Sequence, residues 1–115
     1  MKSIAGWLGV EALAFFAAAL VHGGVGIRGY EHPRARIAES VIGVVLTLGL
    51  AVAVMRPQLA RSAGLAAQGF ALLGTLVGAF TIAVGVGPRT LPDVVYHVVL
   101  LALLTAGLVA VRRAR

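Results

Sequence analysis

Residues 37–55 read IAESVIGVVLTLGLAVAVM and are flanked by Arg36 and Arg56. A helix of this length spans roughly the hydrocarbon core of a bilayer, which is about 30 Å thick and takes about 20 helical residues. The apolar residues run on continuously, whereas a barrel strand would alternate them with polar ones. Inside lipid, a helix satisfies all of its own backbone groups. The stretch therefore predicts a transmembrane helix.

Three further stretches have the same character, so four helices are expected at about residues 4–22, 36–55, 63–87 and 92–111. A chain of 115 residues is the size of one domain. The sequence thus predicts an all-α fold, a single integral membrane domain over residues 1–115 built as a four-helix up-down bundle. Small-residue pairs indicate where the helices approach closely, within one chain or between chains: Gly74 and Gly78, with Gly85 on a similar face, and Ala14 with Ala18.

The composition supports membrane residence. The chain is 60% hydrophobic and only 12% charged, with a mean hydropathy of +1.00, whereas about a quarter of the residues in a soluble domain are charged. Its ten basic residues stand at the ends of the apolar runs, where they meet lipid headgroups. This placement predicts the lipid bilayer as partner and no nucleic acid. The chain has no cysteine, which excludes disulfides and thiolate metal sites.

The basic residues also predict an orientation. Six Lys and Arg lie on the side of the two termini and four on the other side. The first group is Lys2, Arg56, Arg61, Arg112, Arg113 and Arg115; the second is Arg28, Arg34, Arg36 and Arg89. By the positive-inside rule, both termini are expected in the cytoplasm, with the chain as a multi-pass protein of the plasma (inner) membrane.

Glu11 lies inside the first apolar stretch, where a charged side chain costs about 3 kcal/mol on insertion scales. Such a residue faces the bundle interior, finds a partner or is protonated, so Glu11 is a candidate for proton or substrate coupling or for helix packing. Its possible partners are Gln68, Thr47, Thr75 and Thr105. In length, helix number and a lone Glu in Gly9-Val-Glu-Ala12, the chain resembles small multidrug resistance transporters. The resemblance covers this gross plan only, since the family's later motifs are not found here, and no family is assigned.

A second group of polar residues gathers at the helix ends opposite the termini. Its members are His22, Glu31, His32, Arg36, Glu39, Arg89, Asp93, Tyr96 and His97. Asp93 and His97 are four apart and share a helical face, so that a hydrogen bond from the Asp93 carboxylate would fix the tautomer of the imidazole. Arg36 and Glu39 are three apart and can pair. Thr90 and Asp93 also have the spacing of a capping box.

This group allows several kinds of chemistry. His22, Glu39, Asp93 and His97 could bind a divalent metal or line a pocket for a headgroup or a quinone, with Glu39 and Asp93 as coupling carboxylates. Alternatively, His22 and His97 could ligate a haem. A hydrated layer of caps and salt bridges accounts for the same residues, so no cofactor is assigned.

Three classes of function remain open. The first is an accessory or structural subunit without chemistry of its own, in a larger membrane complex. The second is an oligomeric transporter of small ions or cationic solutes that uses Glu11, since four short helices enclose little space in one chain. The third is a redox or metal-binding protein that uses His22 and His97. No nucleophile stands beside a base, so the sequence favours a protein that is not an enzyme.

Overall fold

The computed structural model describes the backbone of residues 2–115 and the side chains from Ile4 onward. Over this range the chain forms four α-helices and one short 3-10 helix, with no strand. The α-helices are α1 (Lys2–His22), α2 (Pro33–Met55), α3 (Ala60–Ala83) and α4 (Leu91–Arg113). The all-α, four-helix prediction is confirmed. The side chain of Lys2, which enters the charge count, lies outside the described residues.

Two helices begin or end away from the predicted positions. Helix α2 begins three residues early, because the Nδ1 atom of His32 accepts a hydrogen bond from the Ala35 amide at 3.1 Å and caps the helix. Helix α3 begins at Ala60, directly after the 3-10 turn Pro57–Leu59, and ends at Ala83 instead of residue 87. Gly85 stands outside the helix with a φ of +85°, so the prediction that it shares a face of α3 is wrong.

Consecutive helices pack side by side, and α4 closes the bundle against α1. The whole measures 43 × 24 × 16 Å. We call the end that holds the termini and the 3-10 turn the proximal end. The distal end holds the two links, residues 23–32 and 84–90. The His32 amide donates to the His22 carbonyl at 2.9 Å, which folds the first link back over the bundle.

The bundle is apolar outside as well as inside. Leu8, Leu46 and Leu104 are completely buried, while Leu13 and Met55 are 71% and 75% exposed. All four α-helices are long and apolar enough to cross a membrane. An exterior of this kind is unfavourable in water, because large exposed apolar patches drive association.

The glycine pair of α3 serves contacts within the chain. A Cβ atom at Gly74 would lie 2.7 Å from Cδ1 of Ile42 in α2, and one at Gly78 would lie 3.1 Å from Nε2 of His97 in α4. The two glycines therefore let α2 and α4 pack close to α3, and they leave space for the imidazole of His97.

Candidate functional site

Glu11 and Gln68 form a buried pair between α1 and α3. The Nε2 atom of Gln68 lies 2.9 Å and 3.1 Å from the two carboxyl oxygens of Glu11, and both residues are 0% exposed. Gln68 was one of four predicted partners, and it is the one that the structure shows. Gly107 of α4 covers the pair, because a Cβ atom there would collide with Oε1 of Glu11. Three helices thus meet at one carboxyl group.

Apolar side chains close the pair off along α1. Leu8 lies about one turn before Glu11 and Phe15 about one turn after it, and they are 0% and 2% exposed. His22 lies eleven residues beyond Glu11, or about 16 Å along the helix. Glu11 is therefore separated from the polar residues of the distal end by packed hydrocarbon.

At the distal end, three buried ionisable side chains from three helices form one hydrogen-bonded chain. His22 of α1 stands between Glu39 of α2, at 2.7 Å from Nδ1 to Oε2, and Asp93 of α4, at 3.1 Å from Nε2 to Oδ1. The three residues are between 5% and 7% exposed. We call Glu39, His22 and Asp93 the carboxylate–imidazole triad.

Among the residues that the structure describes, neither of the two local pairs that the spacing along the helices allows is present. The Nδ1 atom of His97 contacts the backbone carbonyl of Asp93 at 2.8 Å and not its side chain. Glu39 pairs with His22, and among the described side chains no ion pair joins it to Arg36. Contacts across helices replace the expected contacts along a helix, because the carboxyl groups of Glu39 and Asp93 both reach the imidazole on α1.

Asp93 also holds the start of α4. Its Oδ2 accepts hydrogen bonds from the Thr90 amide, at 3.2 Å, and from the Thr90 hydroxyl, while the hydroxyl oxygen accepts from the Asp93 amide at 3.3 Å. The predicted capping box is thus confirmed. Because one carboxyl oxygen caps the helix and the other contacts His22, the first turn of α4 fixes the position of the triad.

A cavity of about 240 Å³ lies beside the triad, between α2, α3 and α4. It extends from exposed Arg34 in the first turn of α2 to buried Phe15 and Thr75. Most of its wall is apolar, and its ionisable lining residues are His32, Arg34, Glu39 and His97, of which Glu39 is buried and Arg34 is exposed. Sequence reasoning placed Glu39 and His97 in one layer but gave no sign of the cavity, which depends on the small residues Gly74 and Gly78.

Beside the donors of Arg34 and His32, the wall offers several hydrogen-bond acceptors. The hydroxyls of Thr75 and Thr81 donate to the backbone carbonyls of Ala71 and Gly78 at 2.8 Å and 2.7 Å. Since a carbonyl oxygen only accepts, Nδ1 of His97 carries a proton, and Nε2 can accept when the ring carries no second proton. The Glu39 carboxylate accepts as well. These groups together favour a bound molecule that donates hydrogen bonds.

No known protein family, curated protein or solved structure matches this chain. The site geometry alone therefore supports the functional interpretation below.

The triad is arranged differently from a metal site. His22 uses both ring nitrogens on carboxylates that lie at separate edges of the imidazole. Within the described residues, no three His, Asp or Glu side chains are grouped so that they could hold a metal ion. His97 lines the cavity instead of joining the triad.

Two functional contacts were not foreseen from the sequence. The Tyr96 hydroxyl donates to the Ala14 carbonyl at 2.5 Å and ties α4 to α1 between the triad and Glu11. Gly107 leaves the space that Glu11 occupies. Tyr96 stood among the predicted distal residues, but Gly107 carried no signal beyond its small size.

Proposed function

We propose that this chain is an integral membrane protein that binds a small amphipathic solute in the distal cavity. One observation carries the proposal: the buried carboxyl group of Glu39 forms part of the wall of an otherwise mostly apolar cavity of about 240 Å³. Ligand sites typically combine an apolar wall with a few polar groups that orient the ligand. A transporter of small ions or cationic solutes, the second class of function considered above, would depend on binding its solute in this way.

The apolar exterior supports a place in the bilayer, with lipid around all four helices. We propose the plasma (inner) membrane, with both termini in the cytoplasm, from the uneven distribution of Lys and Arg. A homo-oligomer or a larger complex is proposed for the working state, since four short helices enclose little space in one chain.

A coupling role has more support at Glu39 than at Glu11. Glu39 contacts His22 and lines the cavity, whereas Glu11 is held by Gln68 between packed apolar layers. A carboxyl group can exchange protons with solvent, or bind a solute, only if solvent or solute can reach it. The cavity gives both access to Glu39.

A redox role has less support. Both ring nitrogens of His22 are engaged by carboxylates, so ligation of a haem iron by this residue would break at least one buried hydrogen bond. His97 keeps Nε2 as an acceptor at the cavity, but one imidazole alone has no diagnostic value for a haem or metal site.

An accessory subunit of a larger membrane complex is the second candidate. The tight packing of Glu11, Gln68 and Gly107 favours it, because a buried polar pair of this kind fixes helix positions without chemistry. This candidate predicts co-purification with a larger membrane protein, and a clean, stable homodimer would count against it.

The proposed solute site can be tested with three probes of one shape in lipid nanodiscs: phenethylammonium, 2-phenylethanol and 3-phenylpropionate. Saturation-transfer NMR should show contact of at least one probe with the protein. Ala38 lines the cavity and Ala66 is exposed elsewhere. Ala38→Leu should therefore abolish binding, while the matched variant Ala66→Leu should retain it. If none of the probes binds, or if both variants bind alike, the proposal is wrong.

A further inference from the structure

We infer that the carboxylate–imidazole triad carries a net charge of −1, so that the solute of the distal cavity is a monovalent organic cation that competes with a proton. This inference rests on the proposed function and names the substrate class of the same cavity. Its basis is the number of protons that the observed hydrogen bonds require.

Each nitrogen–oxygen contact of the triad needs one proton between its two atoms, wherever along the contact that proton sits. The contacts of His22 with Glu39 and Asp93 therefore hold two protons. An imidazolium between two carboxylates has a net charge of −1, and so has a neutral imidazole between one carboxylate and one carboxylic acid. The charge of the triad is thus the same for every position of the two protons.

Among the described side chains, no neighbouring Arg or Lys forms an ion pair with the triad. Arg34 stands exposed at the outer part of the cavity, and the side chain of Arg36 packs its Cδ near Gly23. The His32 ring lies edge-on to His22 at 6.4 Å between ring centres, with Nδ1 taken by the Ala35 amide. Within the described residues, the ion pairs of the triad are only those inside it.

The other titratable neighbours do not supply a counter-charge either. On α4, Tyr96 donates to the Ala14 carbonyl and His97 to the Asp93 carbonyl. Helix α3 contributes the Thr75 and Thr81 hydroxyls to the cavity wall. The N-terminus of α4 stabilises Asp93 through its dipole, which leaves Glu39 as the member of the triad that lacks this support.

Glu39 is the member of the triad that lines the cavity. Its hydrogen bond to His22 uses Oε2, and among the described hydrogen bonds Oε1 has no partner. Since Glu39 is 7% exposed and lines the cavity, a cation there can reach a carboxylate in low-dielectric surroundings, where the attraction is strong. An ammonium group also suits the other acceptors of the wall, Nε2 of His97 included.

A third proton on the triad and a bound monovalent cation have the same electrostatic effect, because each brings its charge from −1 to zero. When the cation enters a triad that holds three protons, one proton leaves to solvent and the total charge is unchanged. Cation and proton therefore compete, and over the pH range in which the third proton is bound the apparent affinity should rise about tenfold per pH unit.

The test compares phenethylammonium with 2-phenylethanol and 3-phenylpropionate on the full chain in nanodiscs. Wild type should bind the cation most tightly, with proton release seen by a pH indicator at the acid end of the range. Glu39→Gln removes the carboxyl group that lines the cavity, and the double variant Glu39→Gln/Asp93→Asn removes both carboxyl groups, so that the triad has no negative charge left. Each should weaken cation binding about tenfold or more. Both variants should weaken binding of the uncharged alcohol much less than binding of the cation.

Glu31→Gln is the matched control. Glu31 is exposed at the same end and accepts from the Gly29 amide, outside the cavity wall, so its neutralisation should leave cation binding unchanged. Preference for the alcohol or the anion, or full cation affinity in the double variant, would overturn the inference while leaving the proposed solute site standing. Failure of all three probes would instead reject the solute site itself.

Discussion

The amide oxygen of Gln68 is the buried side-chain atom without a hydrogen-bond partner in the described part of the chain. The Gln68 nitrogen contacts both oxygens of Glu11, and an ionised carboxylate could offer the amide oxygen nothing, since it only accepts. A protonated Glu11 could donate to the amide oxygen while its carbonyl accepts from the nitrogen. This two-point pair requires the Gln68 amide to turn, since its nitrogen faces both carboxyl oxygens, but it would satisfy every polar atom of the two side chains. We therefore expect Glu11 to be neutral.

Substitution of Glu11 tests this expectation. Glu11→Gln replaces a neutral acid by an amide of the same shape and should change the free energy of unfolding in mixed micelles by less than about 1 kcal/mol. Glu11→Ala leaves a cavity and an unpaired Gln68, and should cost on the order of 3 kcal/mol. The infrared band of a protonated carboxylic acid should disappear in both variants. Equal destabilisation by the two substitutions, with no loss of that infrared band, would contradict a neutral Glu11.

The sequence predicts the contact of a single side chain where leaving that side chain without a partner would cost much free energy. A carboxyl group in an apolar helix needs an internal partner, and Gln68 is one of few polar residues that the chain places in its apolar stretches. The partners of His22 were not predictable, because Glu39 and Asp93 lie 17 and 71 residues away. Spacing along a helix identifies only local pairs, and the rotation of each helix in the bundle decided the rest.

At the scale of helices, the number of helices follows from the long apolar stretches of the sequence. The ends of the helices follow from the residues that cap them. The end of α2 at Met55 was predicted because Arg56 and Pro57 follow it. The sequence does not predict the early start of α2, since a histidine N-cap is unusual and His32 has the sequence context of a link. The end of α3 was missed because the apolar run continues past Ala83 while Gly85 turns the backbone.

Close helix packing at Gly107 gives a prediction at this scale. A methyl group there would collide with Glu11 and lie 2.7 Å from Nε2 of Gln68 and 3.0 Å from Cε3 of Trp7. Gly107→Ala should therefore push α4 away from α1 and α3, at a cost of about 1–3 kcal/mol in the free energy of unfolding. Unfolding in mixed micelles would measure it.

Gly69→Ala on α3 provides the comparison, because a Cβ atom there meets nothing within 4 Å. The added methyl group should leave stability unchanged or raise it slightly, since alanine favours a helix over glycine. Equal changes in the free energy of unfolding for Gly107→Ala and Gly69→Ala would show that close helix packing at Gly107 does not limit stability.

For the whole molecule, the four-helix bundle followed from the sequence because its length and hydropathy allow little else. The distal cavity did not follow, since it depends on which small residues face one another. The spacing of Gly74 and Gly78 predicts a close contact between helices, and the structure contains that contact. The same two glycines also line the cavity beside Glu39 and His97. A pattern of small residues predicts close approach, and only the assembled bundle shows what space remains beside it.

The orientation of the whole bundle is a prediction that cysteine labelling can check, because the natural chain has no cysteine to remove. Val25→Cys places a thiol in the exposed distal link, and Ser62→Cys places one at the exposed proximal start of α3. Six Lys and Arg at the proximal end against four at the distal end should keep the proximal end in the cytoplasm. A membrane-impermeant maleimide should therefore label Val25→Cys in intact cells and Ser62→Cys only after permeabilisation. The reverse pattern would place the solute cavity on the cytoplasmic side, and its competing protons would then come from the cytoplasm.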